Sequence, residues 1–387
     1  MRIRQGIHVP YGERAEQGFW RDNRGLEPLV GSPLLAVAER GADTPGIADE
    51  ARVLLTFCDR ADAALSALQA KASRNLVTLD TFRHDVRIHR LAAERILVGL
   101  DLAQWCRAVQ PPAPLIGQRI LQVDFASAEL GQGSLALESG AKIAGGIMTT
   151  APLESWKREG LTVGPIALPD DGILIEYDVR PKRFGQQFQQ FASRTPSAHH
   201  YMVFLATDQR FHVHTRFGGT WSEQGAMRAA CKVDTWYHCT VSIRHDGFSF
   251  KAVDRETGEN VCRSGLLPLD DPGADLLFEL ADNHSETHRG EDASDWDNLA
   301  VSTLAPLPTL RAEPPPGMQA DILALIDQHR QIEADFGASI LDAGGGSSDV
   351  GDLSTGGINF RARADRANLE RIAGDLRAGR LPAGYGE

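Results

Sequence analysis

Hydrophobic residues along the chain keep two different periods, and the change between them separates helical flanks from a β-rich centre. Upstream, Ile47, Val53, Leu54, Phe57, Ala61, Ala64, Leu65 and Leu68 recur at three and four residues, which places them on one face of a helix. A second helix is predicted from about Thr81 to Cys106, carrying Phe82, Val86, Leu91 and Trp105, with the hairpin turn near Ser73-Arg74-Asn75. Downstream, Met318, Ile322, Leu325, Ile326, Ile332, Phe336 and Ile340 restore a helical stripe behind Pro314-Pro315-Pro316, because proline suits the first turn of a helix. Gly344-Gly345-Gly346-Ser347-Ser348 reads as a flexible hinge. A last helix from Asp365 to Ala378 closes at Gly379, the residue that most readily adopts a left-handed helix end.

Between the flanks the period falls to two. Runs beginning at Gly172, Tyr201, Arg210, Trp236 and Phe248 alternate apolar with polar residues, as half-buried strands do. Turn signals at Asp170-Asp171-Gly172, His245-Asp246-Gly247 and Glu256-Thr257-Gly258 fall between them at hairpin distances. Strands joined by short turns without intervening helices imply antiparallel sheets, and this many imply a sandwich or barrel. Proline clusters at Pro111, Pro112 and Pro114, then at Pro306, Pro308 and Pro314 to Pro316, mark the linkers. The expected organisation is an N-terminal extended arm over 1–45, a helical hairpin over 46–110, a sandwich over 115–305, and a C-terminal helix and extended arm over 314–387.

Charge narrows the partners. A formal net charge of -12 argues against nucleic acid, whose phosphates call for clustered Lys and Arg. No apolar run is long enough for a membrane span, and the start at Met1 lacks the apolar core of a secretory signal, so a soluble chain, cytoplasmic as synthesised, is expected; later export or incorporation into a virion assembly stays open. Cys58, Cys106, Cys231, Cys239 and Cys262 are scattered without a C-x-x-C pair and read as reduced, mostly buried small hydrophobes.

Three elements of the centre, the strand Ile173-Leu-Ile-Glu-Tyr-Asp-Val-Arg-Pro181, the strand opening Trp236-Tyr237-His238 with its hairpin to Phe248, and the closing strand Asp297-Asn298-Leu299-Ala300-Val301, resemble the concanavalin A-like lectin/glucanase superfamily, including laminin-G-like modules. The resemblance implies a mainly β chain: an antiparallel two-sheet jelly-roll β-sandwich with flanking α-helical segments, whose concave sheet can hold a sugar chain. It also implies that Ca2+ near the last strand would bind Asp295 and Asp297, hard oxygen donors in an acidic run. The E-x-D-x-x-E strand with which glucanases of the superfamily pair their carboxylates is absent here.

Period-two geometry assigns faces. His212, His214 and Arg216 share one face of their strand; Glu176, Asp178 and Arg180 share one face of theirs; His238, Thr240, Ser242 and Arg244 share a third. If these rows line one sheet, they make a groove of imidazoles, cations and acids beside Trp221 or Trp236, which could stack on a pyranose. In such a groove a His or Tyr would abstract the C5 proton of a uronate while Arg216 or Arg180 neutralised its carboxylate, the logic of a lyase. A hydrolase needs two carboxylates about 5 to 9 Å apart, for which Glu176 with Glu279 or Asp282 is the pairing to test. His212 and His214 also have the spacing of two metal ligands, which His238 could complete. Against all of these stands the commoner origin of alternating polar residues, a solvated face.

The leading expectation is a glycan-recognising sandwich with a carbohydrate or polysaccharide partner. A polysaccharide lyase or glycoside hydrolase acting from the same groove, and a structural or adhesive component that oligomerises through its terminal arms, are the alternatives.

Overall fold

The structure, a computed structural model, describes residues 46–70, 76–109, 116–126, 135–137, 141–150, 159–184, 188–194, 199–205, 209–217, 220–223, 227–283, 293–342 and 355–383. The arm over 1–45, the hairpin turn at 73–75 and the glycine-rich hinge at 344–348 lie outside these residues. Two compact units are present: 114–219 with 226–307, and 1–113 with 220–225 and 308–387.

The first unit is the sandwich. In its larger sheet the order is β11 (Met227–Arg228), β14 (Asn260–Pro268), β13 (Gly247–Asp254), β12 (Tyr237–Arg244), β6 (Ile173–Arg183), β16 (Ala293–Leu304), β4 (Ile147–Thr149) and β3 (Lys142–Ala144), with β1 (Ile116–Val123) also on β16. In the smaller sheet β9 (Phe211–Phe217), β8 (His199–Leu205), β7 (Phe188–Arg194), β15 (Asp275–Asn283), β5 (Glu159–Ala167) and β2 (Leu135–Leu137) follow one another. All these pairings are antiparallel. The mainly β, antiparallel sandwich expected from the alternation is therefore what forms.

Alternation decides what each strand buries. Ile173, Ile175, Tyr177 and Val179 of β6, Tyr237, Cys239, Val241 and Ile243 of β12, and Phe211 and Val213 of β9 enter one core with Phe278, Leu280 and Trp296. Rings dominate its middle: Tyr201 stacks on Phe248 at 4.6 Å, and Tyr177 meets Trp296 at 5.8 Å. The turn into β6 needs glycine, because Gly172 has φ of 92° and a Cβ there would strike the carbonyl oxygen of Ile243. β12 and β13 close through the two-residue turn His245-Asp246, with Arg244 paired to Gly247.

The second unit is helical: α1 (Ile47–Gln69), α2 (Leu76–Val109), α3 (Pro316–Asp342) and α4 (Thr355–Arg377), with the short strand β10 (Thr220–Glu223) grouped beside them. The hairpin and the C-terminal helices, read from the sequence as separate segments, belong to this one unit, and the last helix, expected from Asp365, already begins at Thr355. α2 explains the union. Val86, Ala93 and Ile96 bury one of its faces against α1, while Leu91, Leu102 and Cys106 bury another among Ile322, Leu325 and Leu369 of α3 and α4. α4 ends as expected, with Gly379 at φ of 66° and its N–H donated to the Leu376 carbonyl. All five cysteines are buried, and none of them forms a disulfide.

Candidate functional site

The outward row of β6 carries Glu176, Asp178 and Arg180, and its antiparallel neighbours bring complementary groups beside it. Register sets His238 of β12 opposite Asp178 on one side and Asp297 of β16 opposite it on the other. A bulge in β16 between Asp297 and Ala300 puts Asn298 at φ of 53°, a left-handed conformation that asparagine tolerates better than most residues. It leaves the Asn298 amide pointing at Asp178.

Asp178 is the centre of this face. Its side chain is 3% exposed, and it accepts from His238 Nδ1 at 2.9 Å, Asn298 Nδ2 at 2.7 Å and an Arg255 guanidinium nitrogen at 2.9 Å. A buried carboxylate is costly unless hydrogen-bonded to charged or polar donors, and here three converge on it. Arg255 arrives because the β12–β13 register pairs Tyr237 with Asp254, and Asp254 Oδ1 then accepts from Glu256 and Thr257 N–H to close the turn that follows.

The hydrogen bond to Asp178 holds the His238 imidazolium above the usual histidine range, against the opposing effect of burial. With Nδ1 so engaged, Nε2 is the atom turned toward Glu176, whose Oε1 lies 3.8 Å away. Arg119 of β1 approaches the other Glu176 oxygen at 3.5 Å. Burial and the nearby Asp178 charge raise the pKa of Asp297, whose Oδ1 accepts from the Asn298 N–H.

Beside this cluster Arg180 donates through Nε to Asp295 at 2.9 Å, and Thr149 donates to the other Asp295 oxygen at 2.9 Å. Arg180 also lies over the Trp236 ring, 4.7 Å from its centroid. One face of Trp236 is covered by a guanidinium instead of being open to a pyranose, and Asp295 is occupied by Arg180 and Thr149. Among the described residues no group of three or more His, Cys, Asp or Glu is arranged to hold a metal ion.

The remaining expected residues lie elsewhere. His212, His214 and Arg216 do share the outward face of β9, but β9 belongs to the smaller sheet, so the core separates them from the rows of β6 and β12. The single groove expected from three polar rows is therefore two opposite faces. His212 and His214 flank Phe204, with centroids at 5.2 and 5.0 Å, and Arg216 lies 3.9 Å from Asp270. His238 cannot complete a metal set with the two β9 histidines, and Arg216 cannot neutralise a carboxylate held at His238. Glu279, 4% exposed on β15, likewise stands on the smaller sheet, away from Glu176; the carboxylate pairing expected for a hydrolase does not form there. Asp282 is in β15 and Trp221 in β10, with side chains outside the described residues.

Sequence reasoning missed Arg119, Arg255 and Asn298. Asn298 had a signal, since Asp-Asn at a strand bulge suits a left-handed residue; Arg119 and Arg255 reach the site only through long-range pairing.

No family model and no curated protein matches the chain. Solved structures resemble it at low identity. The CBM2 module of an evolved Dit protein of Lactobacillus casei BL23 phage J-1 is 12% identical, covering 50% of this chain and 98% of that one, with a TM-score of 0.35. For a xylan β-1,4-xylosidase from Bacillus halodurans C-125 the identity is 10%, the coverage 50% of this chain and 41% of that one, and the TM-score 0.37. For a Trypanosoma rangeli sialidase they are 7%, 54% and 36%, and 0.32.

Proposed function

We propose that this chain recognises a glycan through the outward face of the larger sheet, with Glu176 and His238 as the contacting pair and Asp178, Asn298 and Arg255 as their support. The observation that carries this reading is the gap of 3.8 Å between His238 Nε2 and Glu176 Oε1. It is too long for a direct hydrogen bond, yet a hydroxyl oxygen about 2.8 Å from each atom would accept from the one and donate to the other. Sugar hydroxyls are suited to this double role, and both side chains are accessible, at 41% and 22% exposure. Because Asp178 fixes the ring, little ordering is left to occur on binding. The concanavalin A-like resemblance is part of this proposal, with the larger sheet as the sugar-facing one.

Binding of the full chain to a glycan array tests it. Retained signal from wild type and its loss in His238→Ala support the reading; silence across a broad panel contradicts it.

One feature favours a second reading, acid–base chemistry on the bound sugar. His238 is held by Asp178 and faces a carboxylate, so a proton donor and a proton acceptor stand within reach of one reacting group. Arg119, in place of Arg180 and Arg216, would then face a substrate carboxylate. New ultraviolet absorbance from unsaturated ends on incubation with uronate polymers is the expected result of lyase action; its absence across such polymers counts against it.

A further inference from the structure

Glu176 offers both carboxylate oxygens to cations, and both contacts are long. Oε1 lies 3.8 Å from His238 Nε2, and Oε2 lies 3.5 Å from the Arg119 guanidinium. Ordinary N–H···O separations are about 2.7–3.2 Å, so each pair forms at best a weak direct contact. Each gap can take one hydroxyl that accepts from the cation and donates to the carboxylate. The two oxygens of one carboxylate are adjacent, as are the two hydroxyls of a vicinal diol, so the gaps match hydroxyls on neighbouring carbons of one ring.

Glu176 is paired across the sheet with Thr240 on β12 and Ala300 on β16, both short side chains. Charge selects against an acidic sugar at this position. A ligand carboxylate would stand beside Glu176 itself, with Asp178 and Asp297 on the same face behind it, and like charges brought together are unfavourable. The cations do not reverse this, because Arg255 and His238 are already bonded to Asp178 and Arg119 faces Glu176.

We propose that Glu176 binds a vicinal diol of a neutral sugar, one hydroxyl bridging to His238 Nε2 and its neighbour bridging to Arg119. This rests on the carbohydrate reading above and narrows it: the ligand is a neutral pyranose or furanose unit with two free adjacent hydroxyls, and uronates are poorer ligands.

Periodate cleaves the carbon–carbon bond of a vicinal diol and leaves glycosidic linkages in place, so the test is to present the same glycans to the full chain before and after mild periodate oxidation followed by borohydride reduction. Binding is expected to fall by at least about tenfold on oxidation, the loss of one or more charge-assisted hydrogen bonds. Glu176→Gln, which keeps the shape and removes the charge, should bind the untreated glycans at least about tenfold more weakly with an unchanged far-ultraviolet circular dichroism spectrum. Arg119→Gln should do so more mildly. Undiminished binding after oxidation, undiminished binding by Glu176→Gln, or a preference for uronate polymers overturns the diol assignment while leaving carbohydrate recognition standing. If no glycan binds before oxidation, the carbohydrate reading itself fails and this inference falls with it.

Discussion

His238 Nδ1 lies 2.9 Å from Asp178 Oδ1, and this hydrogen bond links a buried carboxylate to an accessible imidazole across two neighbouring strands. Asp178 thereby orients the ring, fixes which nitrogen faces Glu176 and raises the affinity of the imidazole for its second proton. The pair joins what holds the sandwich together to what its surface can bind.

Replacing Asp178 with Asn should act on both. The variant loses the anion that three donors address, and about 2 kcal/mol of stability should go with it, the lower end of the range for hydrogen bonds to charged groups because Arg255 and His238 are partly exposed. Urea denaturation should show a lower midpoint, and the NMR titration of His238 should shift toward the ordinary value of 6.5.

The pH dependence of this interaction has a definite sign. The folded-state pKa of His238 is raised, so its contribution to stability is complete below about 6.5 and fades as pH rises through the raised value. The stability difference between wild type and His238→Gln should therefore shrink on going from mildly acidic to alkaline solution. A difference that grows with pH would contradict the assignment.

How much of this was legible in the sequence depended on range. The alternation in β6, β9 and β12 correctly gave which residues of each strand share a face: Ile175 and Tyr177 are in the core and Glu176 is outside, and the same holds for Val213 against His214. Alternation is local, however, and says nothing of which sheet a strand joins. The partner of His238 on β6 is 60 residues away, so the assumption that three polar rows share a sheet had no local support. That is why His212, His214 and Arg216 fall on the far face, and why Arg255 and Asn298, placed by a hairpin turn and a bulge, went unnoticed. The helical stripes were legible for the same local reason, whereas the union of α2 with α3 and α4 was not, because α2 buries two faces and carries no single stripe.

His329 should make the helical unit acid-sensitive. It continues the stripe of Ile322, Leu325, Ile326 and Ile332, is 2% exposed, and among the described residues its Nε2 has no hydrogen-bond partner. Burial, helped by the charges of Arg95 and Arg366, pushes its pKa down to about 4. A depressed pKa contributes stability that is complete above the ordinary value of 6.5 and is lost as pH falls through about 4, at most about 3 kcal/mol. Helical circular dichroism should weaken over that interval, and His329→Leu should flatten the dependence. Equal acid sensitivity in both would remove His329 from this role.

Gly172→Ala tests the turn that launches β6. At φ of 92°, with the Ile243 carbonyl oxygen where the new Cβ would stand, the substitution should destabilise the sandwich by at least about 1–2 kcal/mol. The thermal midpoint should fall, and an unchanged midpoint would show that the turn can relax.

The account as a whole turns on whether the larger sheet's outward face binds sugar, and a glycan array probed in parallel with wild-type chain and Glu176→Gln measures that most directly. Wild-type signal on at least one class of neutral glycan, reduced by at least about tenfold in the variant, is the predicted result. No wild-type signal on any glycan, or equal signal from both chains, would contradict it.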